Sequence, residues 1–102
     1  MSSPTQRTLA YLRKQGYRAA VVEHFNRFAG VRQDLFGIID VVAIGKGITI
    51  GVQCTSAANV SARVHKIADH ESTPWLREAN WQLEVHGWKK GKRGPPRIVD
   101  VS

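Results

Sequence analysis

The chain has 102 residues, 42% of them hydrophobic, and 15 lysines and arginines against eight acids leave a net charge of +7. That length supports one small domain, residues 1–102, and the hydrophobic share argues against disorder of the whole chain. Lys46 and Gly47 break the longest apolar run well short of the ~20 residues of a membrane span, the N-terminus has no secretory pattern, and one cysteine, Cys54, permits neither an internal disulfide nor a cysteine zinc cage. A cytoplasmic protein without membrane contact is expected.

Ser3-Pro4 predicts a helix start, a hydroxyl cap followed by proline. The helix runs to about Gln15 with Leu9 and Leu12 inward, and Gly16 suits a left-handed terminus. Tyr17 to about Phe25 has strand composition, with Glu23 and His24 near its end. Asn26 to Gly37 shows no periodicity and reads as a loop carrying Arg27 and Arg32, with Asp34 as its cap or, as the alternative, a residue of the site. Ile38–Ile44 predicts a strand interrupted by Asp40, Gly45-Lys46-Gly47 a tight hairpin, and Ile48–Thr55 the antiparallel return. Both strands are apolar on both faces, as in the middle of a covered sheet. Asn59 is the expected cap of a helix from Val60 to about Asp69, with Asn59, Arg63 and Lys66 as its polar stripe. A short helix from Thr73-Pro74 through Glu78, an alternating strand Trp81–Trp88, a basic loop Lys89–Pro96 and an edge strand Ile98–Val101 complete the chain.

Asp40 is the anomaly in this pattern. A carboxylate among Ile38, Ile39, Val41 and Val42 is costly to bury, and a metal or a catalytic role is the commonest reason. Side-chain alternation puts Gln53 on the face of Thr55 in the next strand. Oxygens of Asp40 and Gln53 on one face, with a backbone carbonyl near Cys54, suit Mg²⁺ or Mn²⁺, which take oxygen ligands and keep several waters. The competing reading makes Asp40 a structural carboxylate paired with Arg32 or Arg63. The Cys54 thiol itself reads as inert core. The four histidines lack a paired helical spacing, so zinc is not expected. A pI near 10.2 fits a polyanionic partner, and DNA contacts are expected at Arg32, Arg63, Lys66, Lys89, Lys90 and, by stacking, Trp88.

The run Phe36-Gly37-Ile38-Ile39-Asp40-Val41-Val42, the hairpin, Val52-Gln53-Cys54-Thr55 and the basic helix resemble the PD-(D/E)xK nuclease superfamily. The nearest branch is the VRR-NUC and Holliday-junction-resolvase-like nucleases of phages and bacteria, and the resemblance spans roughly residues 5 to 90. It implies an α/β, restriction-endonuclease-like αβββαβ core with a mixed sheet flanked by helices. It also implies a homodimeric, structure-selective DNA endonuclease using Mg²⁺ or Mn²⁺. Asp40 then takes the family's aspartate position, Gln53 the second ligand position, and Glu23 the upstream acid. Thr55 stands where the family has lysine, and Lys66 or Arg63 from the next helix is the expected substitute. That departure carries the alternative, a nuclease-fold DNA-binding module without catalysis. A protein-interaction subunit with an acidic partner is the third reading.

Overall fold

The computed structural model describes residues 3–102. Helix α1 (Pro4–Lys14) opens as its cap chemistry requires, the Ser3 hydroxyl accepting the Gln6 N–H at 3.2 Å. It ends at Gly16, whose φ of +98° favours glycine. Strands β1 (Arg18–Val21), β4 (Val41–Gly45), β5 (Ile48–Ser56), β6 (Gln82–Trp88) and β7 (Arg97–Asp100) form a mixed sheet in the order β1-β4-β5-β6-β7. All neighbours are antiparallel except β5 and β6. That parallel pair needs a crossover, supplied by a 3₁₀ turn (Ala57–Asn59), α2 (Val60–Asp69) and α3 (Thr73–Glu78). A separate two-stranded hairpin pairs β2 (His24–Asn26) with β3 (Val31–Gln33). The protein is therefore α/β, with helices on both faces of a mixed sheet. Among the described residues no helix is long and apolar enough to cross a membrane.

Two cores follow from strand alternation. Leu9 and Leu12 of α1 pack on Val41, Ala43, Ile50, Val52 and Cys54. On the opposite face Val60, Ile67 and Leu76 pack with Ile38, Ile39, Leu83 and Val85. Strand β5 is buried without interruption from Ile50 to Thr55, as its two-sided apolar sequence requires. Gly87 is where α2 presses closest on the sheet: a Cβ there would collide with Val60 Cγ2 and come within 3.2 Å of the Ala57 backbone. Gly87→Ala is expected to destabilise the fold by about 3 kcal/mol through overpacking, read as a lower denaturant midpoint.

The structure corrects several sequence expectations. The strand foreseen over Tyr17–Phe25 leaves the sheet after Val21, and β2 and β3 lie within what was expected to be a strand end and a loop. The strand foreseen from Ile38 begins at Val41, because Leu35–Ile39 closes a tight turn with Phe36 at φ 54° and Gly37 at φ 83°. Asp40 thus sits just ahead of β4 rather than mid-strand. Its backbone still extends the ladder, the N–H donating to Val52 O at 2.9 Å and the carbonyl accepting from Val22 at 2.8 Å. Asn59 stands at the N-cap position of α2 but makes no capping hydrogen bond; its amide donates to the Ser56 hydroxyl at 3.0 Å, and the 3₁₀ turn leads into the helix.

Candidate functional site

At one end of the sheet, β1 finishes, β4 begins and β5 finishes. The hairpin register sets Val41 opposite Val52, which brings the residues just beyond, Asp40 and Gln53, side by side. Asp40 Oδ2 accepts two hydrogen bonds, from the Gln53 amide at 2.8 Å and from the Cys54 backbone N–H at 2.8 Å. The same Gln53 nitrogen donates to Asp34 Oδ2 at 3.3 Å. Asp34 arrives here through the Leu35–Gly37 turn, its carbonyl accepting from the Gly37 N–H at 3.0 Å. Glu23, just past the end of β1, accepts from the Thr5 hydroxyl and from Arg32, each at 3.3 Å. Carboxylate oxygens of Glu23, Asp34 and Asp40 all lie within 4.8 Å of one another. Lys66 of α2 reaches over them, Nζ 3.8 Å from Asp34 Oδ2.

Arg32 and Lys66 offset the charges of Glu23 and Asp34, while Asp40 forms no ion pair among the described residues and its charge is crowded by theirs. Burial pushes the Asp40 carboxyl up to about 7; neighbouring Asp34 pushes the same way, and the Cys54 N–H and Gln53 amide work against both. Gln53 is only 1% exposed, and its carbonyl oxygen Oε1 is buried with no hydrogen-bond partner. An unpaired buried acceptor costs about 1–3 kcal/mol. Three carboxylates make an all-oxygen donor set, which fits a hard divalent cation such as Mg²⁺ or Mn²⁺; the Gln53 amide faces them through its nitrogen, so its oxygen would join the set on turning the amide over.

Asp40, Gln53, Glu23 and Lys66 therefore converge. Cys54 meets Asp40 through its backbone N–H, while its thiol lies in the α1-side core and burial pushes it up to about 12. Thr55 is buried on the Gln53 face of β5 and forms no hydrogen bond to the carboxylates. Arg63 is half-buried one turn before Lys66 and makes no ion pair with them. Asp34, for which the sequence favours a loop cap over a site role, is brought into the cluster instead. The available signal was an acid at each end of a glycine-containing turn in Asp34-Leu35-Phe36-Gly37-Ile38-Ile39-Asp40.

Trp88 needs a correction. Its ring is buried, its indole N–H donates to the Thr8 hydroxyl at 2.9 Å, and the Arg7 guanidinium lies 4.5 Å above it. It is core, not a stacking surface. Lys89 and Lys90 beside it are exposed. Arg7 donates to the carbonyls of Lys89 at 2.9 Å and Lys92 at 2.7 Å, fixing this loop against α1. A cavity of about 580 Å³ is lined there by Arg7, Lys89, Lys92, Arg93 and Arg97. Because β5 and β6 are parallel and β7 returns, this basic loop lies at the same end of the sheet as the acidic cluster. No protein-family model matches the chain, and no curated protein has a similar sequence.

Proposed function

We propose that this chain is a divalent-cation-dependent endonuclease with a restriction-endonuclease-like core, hydrolysing phosphodiester bonds in DNA. The observation that carries this reading is the triad Glu23, Asp34 and Asp40, whose carboxylate oxygens lie within 4.8 Å of one another beside the Gln53 amide. Asp40, Asp34 and Glu23, with Gln53, are the residues that would hold Mg²⁺ or Mn²⁺. When bound, the ion supplies positive charge for the scissile phosphate and lowers the pKa of an attacking water. The protein's own contribution is positional. Val52 and Val22 grip the Asp40 backbone, and the Cys54 N–H fixes its carboxylate. Lys66 brings the cation that Thr55 does not provide, and the basic loop of Lys89, Lys92 and Arg93 suits the phosphates beyond the cut.

Cleavage of plasmid and branched DNA with Mg²⁺ or Mn²⁺, lost on chelation, is the test. DNA binding without any cutting by the pure protein would favour the alternative of a binding module, which the buried Thr55 supports. Lys66→Ala is expected to lower the cleavage rate about a hundredfold. Its Mn²⁺-induced rise in melting temperature should stay at or above the wild-type value, since the ion then no longer competes with Lys66 for Asp34. Equal cleavage by Lys66→Ala and wild type would remove the lysine from the mechanism.

A further inference from the structure

The β2–β3 hairpin forms its own sheet, apart from the five main strands. From His24 to Gln33 it carries Arg27 and Arg32 and no acid. Its apolar side chains are turned outward: Phe28 at the tip is 98% exposed and Phe25 64%. Isolated exposed aromatics are ordinary, but two of them with the half-exposed Val31 on one short basic hairpin suit an interaction surface. The tip is also preset. Asn26 Oδ1 accepts the N–H groups of Phe28 at 3.0 Å and Ala29 at 3.1 Å. Gly30, at φ +68°, donates to the Asn26 carbonyl at 2.8 Å. Phe28 is thus held out on an ordered turn.

The hairpin is joined to the acidic cluster at both feet, by Glu23 before it and Asp34 after it. Phe25 pairs across the hairpin with Arg32, and Arg32 reaches Glu23 at 3.3 Å. A cavity of about 560 Å³, lined by His24, Arg32, Phe36, Asp34 and Lys66, runs between the hairpin and the cluster. That volume lies in the range that holds a small ligand such as one nucleotide. We propose that the hairpin is a base-stacking wedge. Phe28 inserts where bases are unpaired or splayed, Arg27 and Arg32 meet the flanking phosphates, and the adjoining strand enters the cavity toward Asp34 and Lys66. The aromatic tip selects nucleic acid over an acidic peptide, because every base offers a face to stack on while acidic side chains offer none. This inference rests on the nuclease reading and narrows its substrate to branched, frayed or single-stranded DNA.

The test uses the full chain in EDTA, so that no cleavage intervenes, with DNA bearing 2-aminopurine at the fork of a splayed duplex and a fully paired control. Phe28→Ala is expected to weaken binding to the splayed DNA about tenfold and to leave the paired control unchanged. Phe28→Trp is expected to restore the affinity, and the wild-type quenching of 2-aminopurine should vanish in Phe28→Ala. Equal binding of splayed DNA by wild type and Phe28→Ala overturns the wedge while leaving the nuclease reading intact. A uniform loss on both DNAs overturns it too, since the hairpin is then a general contact. A dimer that Phe28→Ala disperses, with DNA binding retained, assigns the hairpin to a second copy and also overturns it. A wild type that binds neither DNA overturns the wedge, while the nuclease reading is judged separately by cleavage with Mg²⁺ or Mn²⁺.

Discussion

Asp40→Asn is expected to reduce metal-dependent cleavage by at least about a thousandfold and, at pH 8, to make the ion-free protein more stable than wild type. Both effects have one origin. The wild-type carboxyl, at about 7 in the fold against an ordinary 3.8, favours its protonated form. Its contribution to stability is complete below pH 3.8 and is lost as pH rises through about 7, because the folded state then holds a proton that the unfolded state does not. At pH 8 the buried charge must be carried with only the Cys54 N–H and the Gln53 amide to offset it. Asparagine keeps an oxygen for the Cys54 N–H, lacks the charge, and should add about 2–4 kcal/mol there. At pH 3.5 the gain should disappear, since Asp40 is by then protonated in both states. Melting curves at both pH values, with and without Mn²⁺, check this: wild type gains stability from the ion at pH 8 and Asp40→Asn does not. Retained cleavage by Asp40→Asn would remove Asp40 from the site's chemistry.

Gln53→Glu is expected to act in the opposite sense. The amide that donates to both Asp40 and Asp34 becomes a fourth carboxyl at hydrogen-bonding distance from them. The ion-free protein should lose about 3 kcal/mol at pH 8, from two lost hydrogen bonds and a buried like charge. Cation affinity should rise about tenfold or more, because ligand charge sets the strength of an oxygen site. Titration calorimetry with Mn²⁺ measures the affinity, and denaturation in EDTA measures the cost. An unchanged affinity would mean that Gln53 lies outside the ion's reach. Together the two variants separate a site built to hold a cation from a buried polar cluster that merely tolerates its own repulsion.

Much of this arrangement is legible in the sequence. Glycines at 45 and 47 fix the hairpin, the hairpin fixes the register, and the register brings Asp40 beside Gln53. Helical spacing likewise places Lys66 on the face of α2 that reaches the site. Asp34 was hidden because its position depends on Phe36 adopting a left-handed backbone, which no local pattern announces. The strands of the small hairpin were hidden for another reason: three residues each are too few to show alternation. Trp88 lies among lysines in sequence, yet its environment is set by Thr8 and Arg7, some 80 residues away. Short-range chemistry was readable; contacts that depend on closing the whole chain were not.

The placement of Glu23 and Asp34 at the two feet of the β2–β3 hairpin has a mechanical side. With like charges facing each other, the feet tend to spread, restrained on the outside by Arg32 and Lys66. An ion held between them, as proposed above, would act as a staple across the base of the hairpin and tie it to Asp40 and β5, the most deeply buried strand. The amides of residues 24–33 then share the opening free energy of the central sheet instead of fraying on their own. Loading the site would in this sense also tighten the arm that carries Phe28, and the ion would set how firmly that arm could push.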